Sequence, residues 1–100
     1  MSRKEQVEVF QHLFVQFIKS KFCSPFKING KEATRNDYAI ESGISRGTLT
    51  RFNEGKAYDV PTSTIFKICN FENITIANLF NEFEEYCSKV ENQLNDTQAD

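Results

Sequence analysis

One hundred residues, 39% of them hydrophobic and ten of them Phe, suffice for one compact core and are too apolar for a disordered chain. No run approaches the roughly 18 consecutive apolar residues of a membrane span, and the amphipathic start, broken by Gln11, His12 and Gln16, does not read as a secretory leader. The net charge of −2 hides a division: residues 1–56 hold ten Lys/Arg against six Asp/Glu, net +4, and residues 57–100 hold two against eight, net −6, so only the front half suits phosphate.

Val7, Phe10, Phe14, Phe17 and Phe22, flanked by Leu13 and Ile18, recur at three- and four-residue steps and predict an amphipathic helix over Lys4–Phe22. Pro25 pushes Ser24 out of helical geometry and closes it. Residues 23–33 read as a connection with a turn at Asn29-Gly30, its conformation left open. Thr34 is an N-cap for a second helix that Ser42-Gly43 ends, and Ser45 is the N-cap of a third that runs to about Asn53, with Gly55 as terminator. Thr62 is read as the cap of a fourth helix through Asn70, and Thr75–Tyr86 forms a fifth around Ile76, Leu79, Phe80 and Phe83. The chain is polar and acidic from Ser88, so a single domain over residues 1–90 and a frayed acidic tail over 91–100 are expected.

Residues 34–56 carry the functional information. Small Ala39 permits close helix approach, Gly43 permits a tight turn, and Ile44, Leu49 and Phe52 anchor the third helix against the core. These are the requirements of a helix-turn-helix made by helices 2 and 3. With Arg46 at zero and about 100° per residue, Thr50 falls at about 40°, Gly47 at about 100° and Arg51 at about 140°. Thr48, Phe52 and Leu49 lie at about 200°, 240° and 300°. One half of the third helix is therefore apolar, with Thr48 at its border, and the other half is free to meet a groove.

The ordered set Thr34-Arg35, Tyr38-Ala39, Gly43-Ile44-Ser45, Thr48-Leu49, Arg51-Phe52, Gly55-Lys56, Pro61, Ile65, Ile68, Ile74 and Leu79-Phe80 resembles the Cro/CI (XRE-type) helix-turn-helix family. The resemblance covers residues 34–83 and implies an all-α, five-helix, lambda-repressor-like DNA-binding domain. It implies that Arg35 contacts phosphate, that Ser45, Arg46, Gly47, Thr48, Thr50 and Arg51 face the bases, and that Lys56 and Tyr58 meet the backbone. Arg35 stands where the family often has Gln, Asn53 where it often has Glu, and the 23–33 connection is longer than usual.

Arg46 and Arg51 are suited to bidentate contact with guanine, or alternatively to phosphate or plain solvation. Thr50 offers a methyl for thymine or a hydroxyl for phosphate. Gly47 costs about 1 kcal/mol of helix propensity, either to let the helix lie deep in a groove or as a tolerated exposed residue.

Other chemistry finds little support. One His and the widely spaced Cys23, Cys69 and Cys87 make neither a zinc site nor a disulfide framework; a reducing cytoplasm fits them. No catalytic group and no cofactor is assigned, and no enzyme is expected. The expected partner is double-stranded DNA, bound by a homodimer whose self-association could use Phe83 and Tyr86 of the last helix. The alternative is a helical protein-interaction module, antitoxin-like or an adaptor, engaging a protein partner through the acidic C-terminal helix around Glu82, Glu84 and Glu85.

Overall fold

The computed structural model of the chain describes residues 1–98. Five helices, α1 (Arg3–Phe22), α2 (Arg35–Ser42), α3 (Arg46–Glu54), α4 (Thr62–Glu72) and α5 (Ile76–Gln98), are joined by one small hairpin, β1 (Lys27–Ile28) and β2 (Lys31–Glu32). The architecture is the five-helix one expected from the sequence, with α2 and α3 as the helix-turn-helix.

A capping box starts α1 one residue before the expected Lys4: the Ser2 hydroxyl accepts from the Glu5 backbone and the Glu5 carboxylate accepts from the Ser2 backbone. Its second half buries Phe14, Val15, Phe17, Ile18 and Phe22. The front of the predicted stripe behaves differently, because Val7 and Phe10 remain 54% and 50% exposed. Periodicity marks a face, whereas burial needs a neighbour, and the first ten residues of the chain are exposed throughout.

The 23–33 connection is an antiparallel hairpin pairing Lys27 with Glu32 and Ile28 with Lys31. Asn29 and Gly30 both have positive φ, 53° and 79°, as a two-residue I′ turn demands.

Thr34 and Ser45 cap α2 and α3 as expected, accepting from Asp37 N at 3.0 Å and Thr48 N at 3.1 Å. Pro61, rather than Thr62, is the N-cap of α4, and Thr62 is its first helical residue. The Thr75 hydroxyl accepts from Asn78 N at 3.0 Å at the start of α5. That helix does not stop near Tyr86, because no Gly or Pro interrupts the sequence after Ile76. The boundary expected at residue 90 falls inside it, and positions 99–100 of the expected tail lie outside the described residues.

Phe14 stacks on Phe80 at 5.5 Å and meets Phe83 edge-on at 5.1 Å, and Phe17 contacts both Phe83 and Tyr86. Such pairs contribute about 0.5–1.5 kcal/mol each beyond the area they bury. The Lys21–Glu82 ion pair between the same helices, at 2.9 Å on the surface, belongs to a class contributing about 0–1 kcal/mol. Aromatic packing therefore docks α5 on α1. The same packing leaves Phe83 only 5% exposed, so it is not open for the self-association expected of it.

A second aromatic group fixes α2. Tyr38 is buried between Phe26 and Phe71, and its hydroxyl donates to the Glu72 carboxylate of α4 at 2.9 Å. Burial, and next the Glu72 hydrogen bond, push the Tyr38 hydroxyl well above its ordinary pKa.

Candidate nucleic-acid interface

The helix-turn-helix is built by local chemistry. Gly43 adopts φ 76° and sends its N–H to the Ala39 carbonyl, which turns the chain out of α2. Ile44 is buried immediately after, and Ser45 starts α3. Leu49 and Phe52 are 1% and 0% exposed, which fixes the roll of α3 about its axis. Arg46, Gly47 and Arg51 are exposed on the other side, with Thr48 and Thr50 half-buried at the edges.

The hydroxyls of this face are differently employed. The Ser45 hydroxyl accepts from Thr48 N and donates to Thr48 Oγ1 at 2.8 Å, so it is committed to the cap. Thr48 Oγ1 accepts that bond and keeps its own proton to donate. The Thr50 hydroxyl donates to the Arg46 carbonyl at 2.9 Å and accepts from Arg35 Nη1 at 2.9 Å. Its only proton and one of its two lone pairs are therefore used, so the hydroxyl has no donor left and the methyl is unengaged.

Arg35, the first residue of α2, thereby lies against the middle of α3, with the rest of its guanidinium N–H groups available. At Gly47 a Cβ would meet nothing within 4 Å, and no positive φ is involved. The fold itself does not require glycine there.

Gly55 ends α3 at φ 71°, and its carbonyl accepts from Gln16 Nε2 of α1 at 2.8 Å. A Cβ on Gly55 would lie 2.5 Å from that nitrogen. Gln16 thus ties the end of α3 to α1, a contact 39 residues apart that no sequence signal announces.

Lys56 is exposed in the loop after α3. Tyr58 is placed differently from the expected backbone contact. Its hydroxyl is buried without a hydrogen-bond partner, and its ring lies beneath the Arg51 guanidinium, 5.2 Å from Cζ to centroid. A hydroxyl turned inward cannot reach a phosphate. Burial raises its pKa, with Arg51 opposing.

The order of these parts is that of a known DNA-binding module. The family model for the Cro/C1-type HTH DNA-binding domain matches residues 29–83. The chain belongs to this family. The match takes in α2, α3, α4 and the first part of α5, and with it comes DNA binding by a transcriptional regulator. No curated protein and no solved structure matches the chain.

Outside this Cro/C1-type unit, Cys23 is buried, and burial pushes its thiol up to about 12, with Glu72 adding and Lys19 opposing. It therefore carries no thiolate at neutral pH. Among the described residues no group of three or more His, Cys, Asp or Glu side chains could hold a metal ion. No described helix is long and apolar enough to cross a membrane.

Proposed function

We propose that the protein regulates transcription by binding double-stranded DNA sequence-specifically as a homodimer, with α3 in the major groove. The division of α3 into a buried Leu49/Phe52 side and an exposed Arg46/Gly47/Arg51 side carries this reading. Such a helix can enter a groove without uncovering the core.

In this assignment Arg46 and Arg51 read guanine through O6 and N7, each pair giving about 1–3 kcal/mol of discrimination. Gly47 lets the backbone of α3 lie close to the base edges, the Thr50 methyl faces thymine, and Thr48 donates its remaining proton to phosphate. Arg35 and Lys56 hold phosphates and set register without reading sequence. Ser45 acts through the cap that orients the first turn of α3.

The second copy is proposed to dock on the front of α1, where Val7, Val9 and Phe10 are exposed. Arg3 and Lys4 lie beside them together with Glu5 and Glu8, so the front of α1 is balanced in charge and its exposed apolar side chains are what the second copy would cover. The two copies then span half-sites roughly 34 Å apart. A Val9→Asp protein that sediments as the same dimer as wild type on operator DNA would remove this surface from the account.

Selection of bound duplexes from a random library at about 150 mM salt, where weak nonspecific attachment is suppressed, tests the proposal. A two-fold symmetric motif containing guanines is the expected result. A folded protein that enriches nothing would move the function to protein interaction through the acidic face of α5.

A further inference from the structure

The Tyr58 ring is held by packing, with its hydroxyl end buried. It sits beside a small cavity of about 50 Å³ lined by Phe10, Phe14, Val60, Ile65 and Phe80, with Gln11 and Asp59 at its margin. The Phe52 ring packs at 6.0 Å and 52°. A ring held this way presents a fixed surface to the Arg51 guanidinium. A cation–π contact engages the charge of the guanidinium without using a hydrogen-bond acceptor, so the N–H donors of Arg51 remain for bidentate recognition of guanine. The two contacts can coexist, so the ring does not compete with base reading.

We propose that Tyr58 is the positioning residue for Arg51, setting base preference at one operator position from a loop residue that itself touches no base. This role presupposes the groove-bound α3 proposed above. An exposed arginine samples many rotamers, and restraining it before binding removes part of the ordering cost on the DNA. A cation–π contact at an exposed site corresponds to about two- to fivefold in an equilibrium constant. Loss of the ring should therefore relax discrimination at the Arg51 position by about that factor.

The test uses wild type, Tyr58→Phe, which keeps the ring, and Tyr58→Leu, which removes it. The wild-type protein alone, without DNA, should show ring-current-shifted Arg51 δ-methylene protons by NMR, retained in Tyr58→Phe. Unshifted protons would overturn the proposal even if Tyr58→Leu fails to fold. On selected DNA, Tyr58→Phe should match wild type, and Tyr58→Leu should lose two- to fivefold of guanine preference at one position per half-site. Unchanged preference in Tyr58→Leu, or equal weakening on all sequences, would overturn the positioning role while leaving the DNA reading intact. A wild-type protein that enriches no motif would overturn both.

Discussion

Arg35 Nη1 donates to Thr50 Oγ1 at 2.9 Å, joining the first residue of α2 to the middle of α3 on the side that faces away from the core. The hydroxyl that accepts it is itself anchored on the Arg46 carbonyl one turn earlier. The cation proposed to bind phosphate is thus held against the helix proposed to read the bases before any DNA arrives. Thr50→Val keeps the shape and the methyl but removes the acceptor. Affinity should fall by about 1 kcal/mol, roughly fivefold, on every sequence, with the selected motif unchanged. Titration of the variant against operator and scrambled duplexes checks this; a changed motif would mean that the hydroxyl itself reads a base.

Gly47 separates stability from function. A methyl there meets open space within the protein, so Gly47→Ala should stabilise α3 by up to about 1 kcal/mol through helix propensity. If α3 lies close in the groove, the same methyl should weaken operator binding. Urea unfolding paired with DNA titration measures both, and a variant that binds as well as wild type would show Gly47 to be merely tolerated.

The Gln16–Gly55 contact should matter to the whole domain. Gln16→Ala leaves a buried glycine's carbonyl without its donor and should cost about 1–2 kcal/mol. Gly55→Ala should cost about as much, since a left-handed φ is strained for alanine and the new methyl displaces Gln16. Chemical denaturation of the two single variants and the double variant should show costs well short of additive, because each change breaks the same contact.

Alkaline pH should destabilise the fold through Cys23. Its folded thiol titrates at about 12 against an ordinary value of 9.0, so the folded state keeps a proton that the unfolded state releases. Its contribution is complete below pH 9 and is lost as pH rises toward 12, at about 1.4 kcal/mol per pH unit for one such group. Tyr38, also raised, adds to the loss above its ordinary value of 10.0. Burial also raises the Cys69 and Cys87 thiols, so Cys23→Ala should lessen the slope of the stability curve between pH 9 and 10 without abolishing it; an unchanged slope would show that this thiol does not contribute.

The functional segment was legible because its signals are local. Thr34, Gly43, Ser45 and Gly55 each act within a few residues, and the roll of α3 is set by Leu49 and Phe52 on one side of a wheel. The hairpin was not legible, since two-residue strands carry no alternation beyond the Asn29-Gly30 turn. The Tyr38–Glu72 and Gln16–Gly55 contacts join residues 34 and 39 apart and depend on tertiary approach. Val7 and Phe10 show the same limit, as they continue the apolar stripe where coverage runs out: Phe10 meets Phe83 edge-on at 5.6 Å yet stays half-exposed, and Val7 is 54% exposed. Polar composition after Ser88 pointed to an early end for α5, yet composition lowers propensity without supplying a breaker.

Base reading by α3 is tested by comparing the motifs selected by wild type, Arg46→Ala and Lys56→Ala under one salt condition. Arg46→Ala should lose guanine preference at one symmetric pair of positions, at a cost of about 1–3 kcal/mol on the preferred site and little elsewhere. Lys56→Ala should keep the motif, weaken all sequences alike and lower the salt slope by about 1. An Arg46→Ala protein that retains the wild-type motif and loses affinity uniformly would place Arg46 on phosphate and contradict the account of α3 as the reading helix.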